Sequence, residues 1–114
     1  MDEWKDLKIV VKALAGVTRL SMVHQLARHK EITVTDLTEM LGLSQPLVSW
    51  HLRKLRRAGL AETRRVGRQV YCSLNTAYFL LCLQRLEHLV DPDAVIETFP
   101  VGEALIEAEV SSEH

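Results

Sequence analysis

The chain has 114 residues, 25% of them charged and 47% hydrophobic, with a formal net charge of −1. That length fits one domain with a small core, of the size that gains stability by pairing with a second chain. Two cysteines, Cys72 and Cys82, are too few for a disulfide scaffold and point to a reducing cytosol. No apolar run approaches the roughly 18 residues that span a bilayer, and the N-terminus is charged rather than signal-like. The expectation is a soluble cytoplasmic protein with no membrane partner.

The near-zero net charge hides an uneven distribution. Seven of the fourteen Lys and Arg residues fall between Arg53 and Arg68, opposed only by Glu62. Beyond Arg85 there is no Lys or Arg, yet eight of the fifteen acids lie from Glu87 onward. The middle of the chain is basic and its end is acidic.

Taken in chain order, Leu7, Val10, Val11 and Leu14 recur at helical spacing and predict a helix over about Trp4 to Ala15. Gly16 ends it, and Thr18 is positioned to cap a second helix that runs to about His29. Leu20, Val23, Leu26 and Ala27 form the apolar side of that second helix. Thr33-Val34-Thr35-Asp36 resembles a capping box and starts a third helix, with Leu37, Met40 and Leu41 on its buried face. Gly42 permits the left-handed turn that stops it.

Ser44 then caps a fourth helix, with Pro46 tolerated in its first turn because the missing N–H had no partner there. Val48, Leu52 and Leu55 lie at i, i+4 and i+7 and make its core stripe. Half a turn away lie Trp50, Arg53 and Arg57, with Pro46 and Ser49 beside them. A helix held by one face, with a basic opposite face, suits entry into a DNA groove.

From Leu60 the period becomes two. Leu60 to Arg65 and Gln69 to Leu74 read as strands of a β-hairpin joined by Val66-Gly67-Arg68. Val70, Cys72 and Leu74 should face inward, with Tyr71 and Ser73 on the other side. Thr76 to about Val90 is a strongly apolar helix, with more apolar surface than three small helices and a hairpin can cover. The surplus points to burial against another chain. Pro92 ends this helix, and an acidic extension follows. The expected division is a winged helix-turn-helix DNA-binding and dimerisation domain over residues 1–92, and a C-terminal extension over 93–114. The fold class is mainly α with a small β-hairpin, dimeric.

These features together resemble the ArsR/SmtB family of bacterial winged-helix transcriptional repressors. The resemblance rests on Ala13-Leu14-Ala15-Gly16-Val17-Thr18-Arg19-Leu20 and Asp36-Leu37. It continues through Leu43-Ser44-Gln45-Pro46-Leu47-Val48-Ser49-Trp50-His51-Leu52-Arg53-Lys54-Leu55, Ala58-Gly59-Leu60 and Gly67-Arg68-Gln69-Val70-Tyr71. It covers about residues 7 to 90. It implies a homodimer built on the first and last main helices, with one recognition helix per protomer in a major groove of a near-palindromic operator in double-stranded DNA.

The expected DNA-contacting residues are Ser44, Gln45, Pro46, Ser49, Trp50, His51, Arg53, Arg57, Arg64, Arg65 and Arg68. Ser44 and the free amides at the helix start suit a phosphate. Gln45, Ser49 and Trp50 suit base edges, Arg53 suits guanine or a phosphate, and the wing arginines suit the backbone or a minor groove. His51, a position where the family usually has His, is expected to be partly structural.

The resemblance also implies sensor sites, and their usual ligands are missing here, so no cofactor is expected. Where the family has a Cys-x-Cys, this chain has Thr33 and Thr35 in Glu31-Ile32-Thr33-Val34-Thr35-Asp36-Leu37, and Thr is no soft-metal ligand. At the family's last-helix site the aligned residues are Thr76, Tyr78, Leu89 and Pro92, with His88 and Asp91 as weak candidates one residue out of phase. Cys72 and Cys82 are weak candidates for a redox pair, because thiols on a strand and an apolar helix are expected to be buried and unreactive.

Two other classes compete. The acidic end, with Glu97, Glu103, Glu107 and Glu109, could bind a protein partner or fold back over the basic face. An enzyme is disfavoured, because no nucleophile–base pair, phosphate loop or catalytic carboxylate pair is visible. Ser49 and His51, two apart on a helix, point in different directions.

Overall fold

A computed structural model of the chain describes residues 2–93, so the acidic extension read from residue 93 onward falls almost wholly outside the described residues. Five helices and three short strands follow one another as α1 (Asp2–Leu14), α2 (Val17–Arg28), β1 (Ile32–Thr33), α3 (Val34–Leu41), α4 (Gln45–Arg57), β2 (Ala61–Val66), β3 (Gln69–Leu74) and α5 (Thr76–Val90). This is a winged helix-turn-helix. The helix-turn-helix is α3 and α4, and β2 and β3 form the wing.

The core is one cluster in which every element takes part. Leu7, Val10 and Ala13 of α1, Met22, Val23 and Leu26 of α2, and Val34 and Leu37 of α3 surround Val48, Leu52 and Leu55 of α4. Cys72 of β3 and Cys82 of α5 close it from the other side. The stripe expected of α4 is buried in full, with Val48 and Leu55 at 0% exposure and Leu52 at 4%.

The apolar stripes of the earlier helices are rotated from those expected. Leu20 and Ala27 of α2 face solvent and Met22 takes the core position, while Val11 and Met40 are exposed and Ala13 and Val34 are buried. These helices carry apolar residues on more than one side, so spacing alone does not select the side that packs. The start of α2 also differs. Gly16 occupies the N-cap in extended conformation, and Thr18 lies inside the helix.

The turn between α3 and α4 forms as its residues dictate. The Thr33 hydroxyl accepts a 3.1 Å bond from the Asp36 amide, which is one half of a capping box. Gly42 adopts φ 66° at the end of α3. Ser44 occupies the N-cap of α4 in extended conformation, but its hydroxyl makes no capping bond.

The end of α4 is locked more firmly. The Gly59 amide donates to the Arg56 carbonyl and the Leu60 amide to the Leu55 carbonyl, both at 2.9 Å. With Gly59 at φ 82°, this is a Schellman motif, and its two flanking leucines, Leu55 and Leu60, are both fully buried. The chain leaves directly into β2, and the Asn75 amide returns to the Leu60 carbonyl at 2.8 Å. The base of the wing is thereby tied to the end of α4.

The sheet has three strands rather than the expected two, in the antiparallel order β1-β3-β2. Ile32 pairs with Cys72 and Thr33 with Tyr71. A two-residue strand leaves no alternation to read in a sequence. In the hairpin, Val66 pairs with Gln69, so the turn is the dipeptide Gly67-Arg68 with Gly67 at φ 60°.

Gly59 is the most constrained of these glycines. A Cβ there would lie 3.1 Å from Cε2 of Tyr78, at a positive φ that side chains disfavour. Gly59→Ala should therefore lower stability by about 1–3 kcal/mol. The check is urea denaturation, which should show a lower midpoint with an unchanged slope.

Candidate nucleic-acid interface

With the inner stripe of α4 buried, the 100° step per residue sends the remaining side chains to two flanks and an outer edge. Gln45, Ser49, Arg53 and Arg56 turn toward the wing. Together with Thr35, Arg65, Arg68 and Gln69 they line a cleft of about 300 Å³ floored by Val34, Leu52 and Val70. Among the described residues no carboxylate lines this cleft. Of the residues expected from sequence, it brings together Gln45, Ser49, Arg53, Arg65 and Arg68. Ser44 and Pro46 are exposed at the first turn of α4. Arg53 and Arg57 continue the basic surface along the helix toward the start of β2.

Four polar residues of the cleft, Thr35, Arg56, Thr63 and Gln69, were not among the residues expected from sequence. Arg56 lies seven residues after Ser49, so helical spacing alone could have placed it there. Thr35 and Gln69 come to the cleft only through the packing of α3 and the wing.

Arg64, expected at DNA with the other wing arginines, does not line the cleft. Strand alternation sets Arg65 on the side of the cleft and Arg64 on the opposite side. There its guanidinium makes a two-pronged ion pair with Glu31, at 2.6 and 2.8 Å, and lies 4.8 Å from the Tyr71 ring centre. The hydrogen bond from Arg64 holds the Glu31 carboxyl below its usual range, and the same bond raises Arg64. The pair joins the wing to the residues ahead of β1.

His51 is half-buried on the α1 side of α4. Its Nδ1 lies 3.2 Å from Nη1 of Arg19, whose Nε donates to the Ala13 carbonyl at 2.6 Å. A guanidinium has donors only, so Nδ1 accepts and the proton of the neutral ring sits on Nε2. Burial, and then the Arg19 charge, push the His51 pKa down. These bonds bridge the α1–α2 turn to the recognition helix.

Trp50 is 46% exposed but faces α1 rather than the wing. Its ring is flanked by Nζ of Lys54 at 5.1 Å and the Arg19 guanidinium at 5.9 Å, and it meets His51 edge-on at 4.9 Å.

The sensor candidates do not converge. Thr33 is engaged in capping α3, and Thr35 lines the cleft, so the segment offers hydroxyls where a soft metal needs thiolates. Among the described residues His88 Nε2 is buried without a hydrogen-bond partner, while Asp91 accepts from the Asp93 amide at 3.2 Å. Among the described residues no group of three or more His, Cys, Asp or Glu could hold a metal. Cys72 and Cys82 are both free and buried. The Cys72 thiol donates to the Ile32 carbonyl at 3.1 Å, and burial pushes its pKa up to about 11. A thiol so protonated is a poor nucleophile.

This geometry, a recognition helix beside a basic wing, defines the winged helix-turn-helix class of regulators. Residues 16–63 match the family described as bacterial regulatory protein, arsR family. The chain is 36% identical over 94 residues to the transcriptional repressor SmtB homolog of a Synechocystis species, covering 82% of this chain and 70% of that one. It is 48% identical over 67 residues to the arsenic resistance transcriptional regulator ArsR1 of Pseudomonas putida, covering 59% of this chain but only 52% of that protein. A solved ArsR-like transcriptional regulator from a Rhodococcus species superposes with a TM-score of 0.71 at 26% identity, over 78% of this chain and 83% of that one. The chain belongs to the ArsR family. No described helix is long and apolar enough to cross a membrane.

The His51 geometry sets a pH dependence. Below the ordinary His value of about 6.5, the unfolded chain takes up this proton before the folded chain does. The stability from this site is complete above about pH 6.5 and is lost as pH falls through the lowered folded pKa. His51→Gln keeps an acceptor for Arg19 but does not titrate. Between about pH 7.5 and about pH 5 the parent should lose more urea resistance than this variant. Equal losses would contradict the assignment.

Proposed function

We propose that the protein is a DNA-binding transcriptional repressor that acts as a homodimer on a near-palindromic operator and performs no catalysis. The cleft between α4 and the wing carries this reading, because it presents four arginines, two glutamines and a serine with no opposing carboxylate among the described residues. Such a surface is built to meet phosphates and base edges together.

In this reading Gln45 and Ser49 reach base edges, since Gln can bond adenine at two points and Ser is permissive. Arg53 and Arg56 read guanine or clamp a phosphate. Arg65 and Arg68 hold the backbone flanking the groove. Ser44, whose hydroxyl is uncommitted, joins the free amides of the first turn of α4 on a phosphate. Arg64 is left out of the set because Glu31 holds it on the far side of the wing.

The dimer is supported by a second surface. Trp4 and Val11 of α1 and Leu81, Leu83, Leu89 and Val90 of α5 are all exposed, and α1 packs on α5. Large side chains gathered on two adjacent helices mark an interaction face. A second copy on that face makes a two-fold pair, with half-sites about 34 Å apart or a multiple of that.

The test begins with duplexes selected from a random pool at low salt, measured by fluorescence anisotropy. Binding should saturate at two chains per site. The logarithm of affinity should fall linearly with the logarithm of salt, by about 0.9 for each phosphate engaged. Gln45→Ala should relax preference at one base step by about 1–3 kcal/mol and leave binding to unrelated duplex unchanged. No affinity for any duplex at low salt would overturn the reading.

A further inference from the structure

A second basic surface lies on the opposite flank of α4 from the wing. Lys12, Arg19, Lys54 and Arg57 surround a recess of about 350 Å³ between α1 and α4, with Ile9, Ala13, Trp50 and Ala58 as its apolar lining. Among the described residues no acid lines it and none of the four cations is in an ion pair. Four like charges gathered without a counter-charge repel one another, so the arrangement favours an anion.

Two of the four cations are also held in place. Arg19 is pinned by the Ala13 carbonyl at 2.6 Å and by His51 at 3.2 Å. Lys54 rests against the face of the Trp50 ring at 5.1 Å, with Arg19 at 5.9 Å from that ring. Trp50 is thus a shelf that spaces two cations, which explains a large aromatic on an exposed flank. The indole face attracts both and keeps them from collapsing into solvent.

Helical geometry then gives the recess a direction. Along α4, the wing-side residues Ser49 and Arg56 and the α1-side residue Lys54 are separated by roughly 140–160° about the axis. A helix lying in a major groove has a sugar-phosphate strand along each flank. The wing side meets one strand, and the α1 side meets the other.

We propose that Lys12, Arg19, Lys54 and Arg57 form a second backbone-phosphate site for the DNA strand opposite the wing, with Trp50 as its positioning residue. This rests on the DNA-binding reading above. It assigns Trp50 to spacing the phosphate-binding cations rather than to reading bases, and it extends the DNA contact onto α1.

The test uses the full chain and the selected duplex. Lys12→Ala with Lys54→Ala should weaken specific and unrelated duplex by the same factor and reduce the salt slope by about 1.8, which is two phosphate contacts. Base preference should not change. Lys12→Arg with Lys54→Arg, which keeps both charges, should restore the slope. In a Trp4→Phe background, Trp50 emission should respond to duplex but not to inorganic phosphate at equal phosphate concentration. Parent-like slope in the double alanine variant would overturn this proposal while leaving DNA binding intact. A matching response to inorganic phosphate would assign the recess to a free anion and overturn it as well. Absence of duplex binding by the parent would remove both readings together.

Discussion

Burial of Val48, Leu52 and Leu55 sets the rotation of α4 about its own axis, and the charged surface of the protein is arranged around that rotation. Each fully buried aliphatic side chain contributes about 1.5–3 kcal/mol, far more than an exposed charge contributes by choosing its neighbour. The helix therefore turns to suit the core, and its arginines point wherever that leaves them. The Schellman motif at Gly59 strengthens the constraint, because it seats Leu60 in the same core and launches β2 at a fixed angle. Helix and wing are thus positioned by one packed cluster.

Charge is sorted by the same scaffold. Strand alternation separates Arg64 from Arg65, sending the first to Glu31 and Tyr71 and leaving the second on the cleft. Arg19 is used for structure, yet it keeps its charge at the surface because its partners, a carbonyl and a neutral imidazole, do not cancel it. The result is a recognition helix with unneutralised cations on both flanks, while the net charge of the chain stays close to zero.

Much of this was legible in the sequence where one period dominates. The stripe of α4, the left-handed Gly42, the second strand of the wing and the extent of α5 all follow from spacing and turn chemistry. The inner faces of α1, α2 and α3 were less legible, because Val11, Leu20 and Met40 are apolar residues at plausible core positions that the tertiary packing leaves outside. β1 was invisible because two residues carry no pattern. In the candidate site, Gln45, Ser49, Arg53, Arg65 and Arg68, singled out by local rules, come together on one cleft. Arg64 faces away from the cleft because period-two alternation divides the run of basic residues. Lys12 and Arg19 could not have been found, since only the packing of α1 and α2 against α4 brings them to the recognition helix.

The central claim is that α4 and the wing, held by this core, are the surface that meets DNA. Amide chemical-shift mapping on the full chain with a selected duplex tests it most directly. Perturbations should concentrate on Ser44 to Arg57 and on Arg65 to Gln69, with smaller changes at Lys12 and Arg19. Shifts confined to the apolar faces of α1 and α5, with α4 and the wing unmoved, would contradict the account.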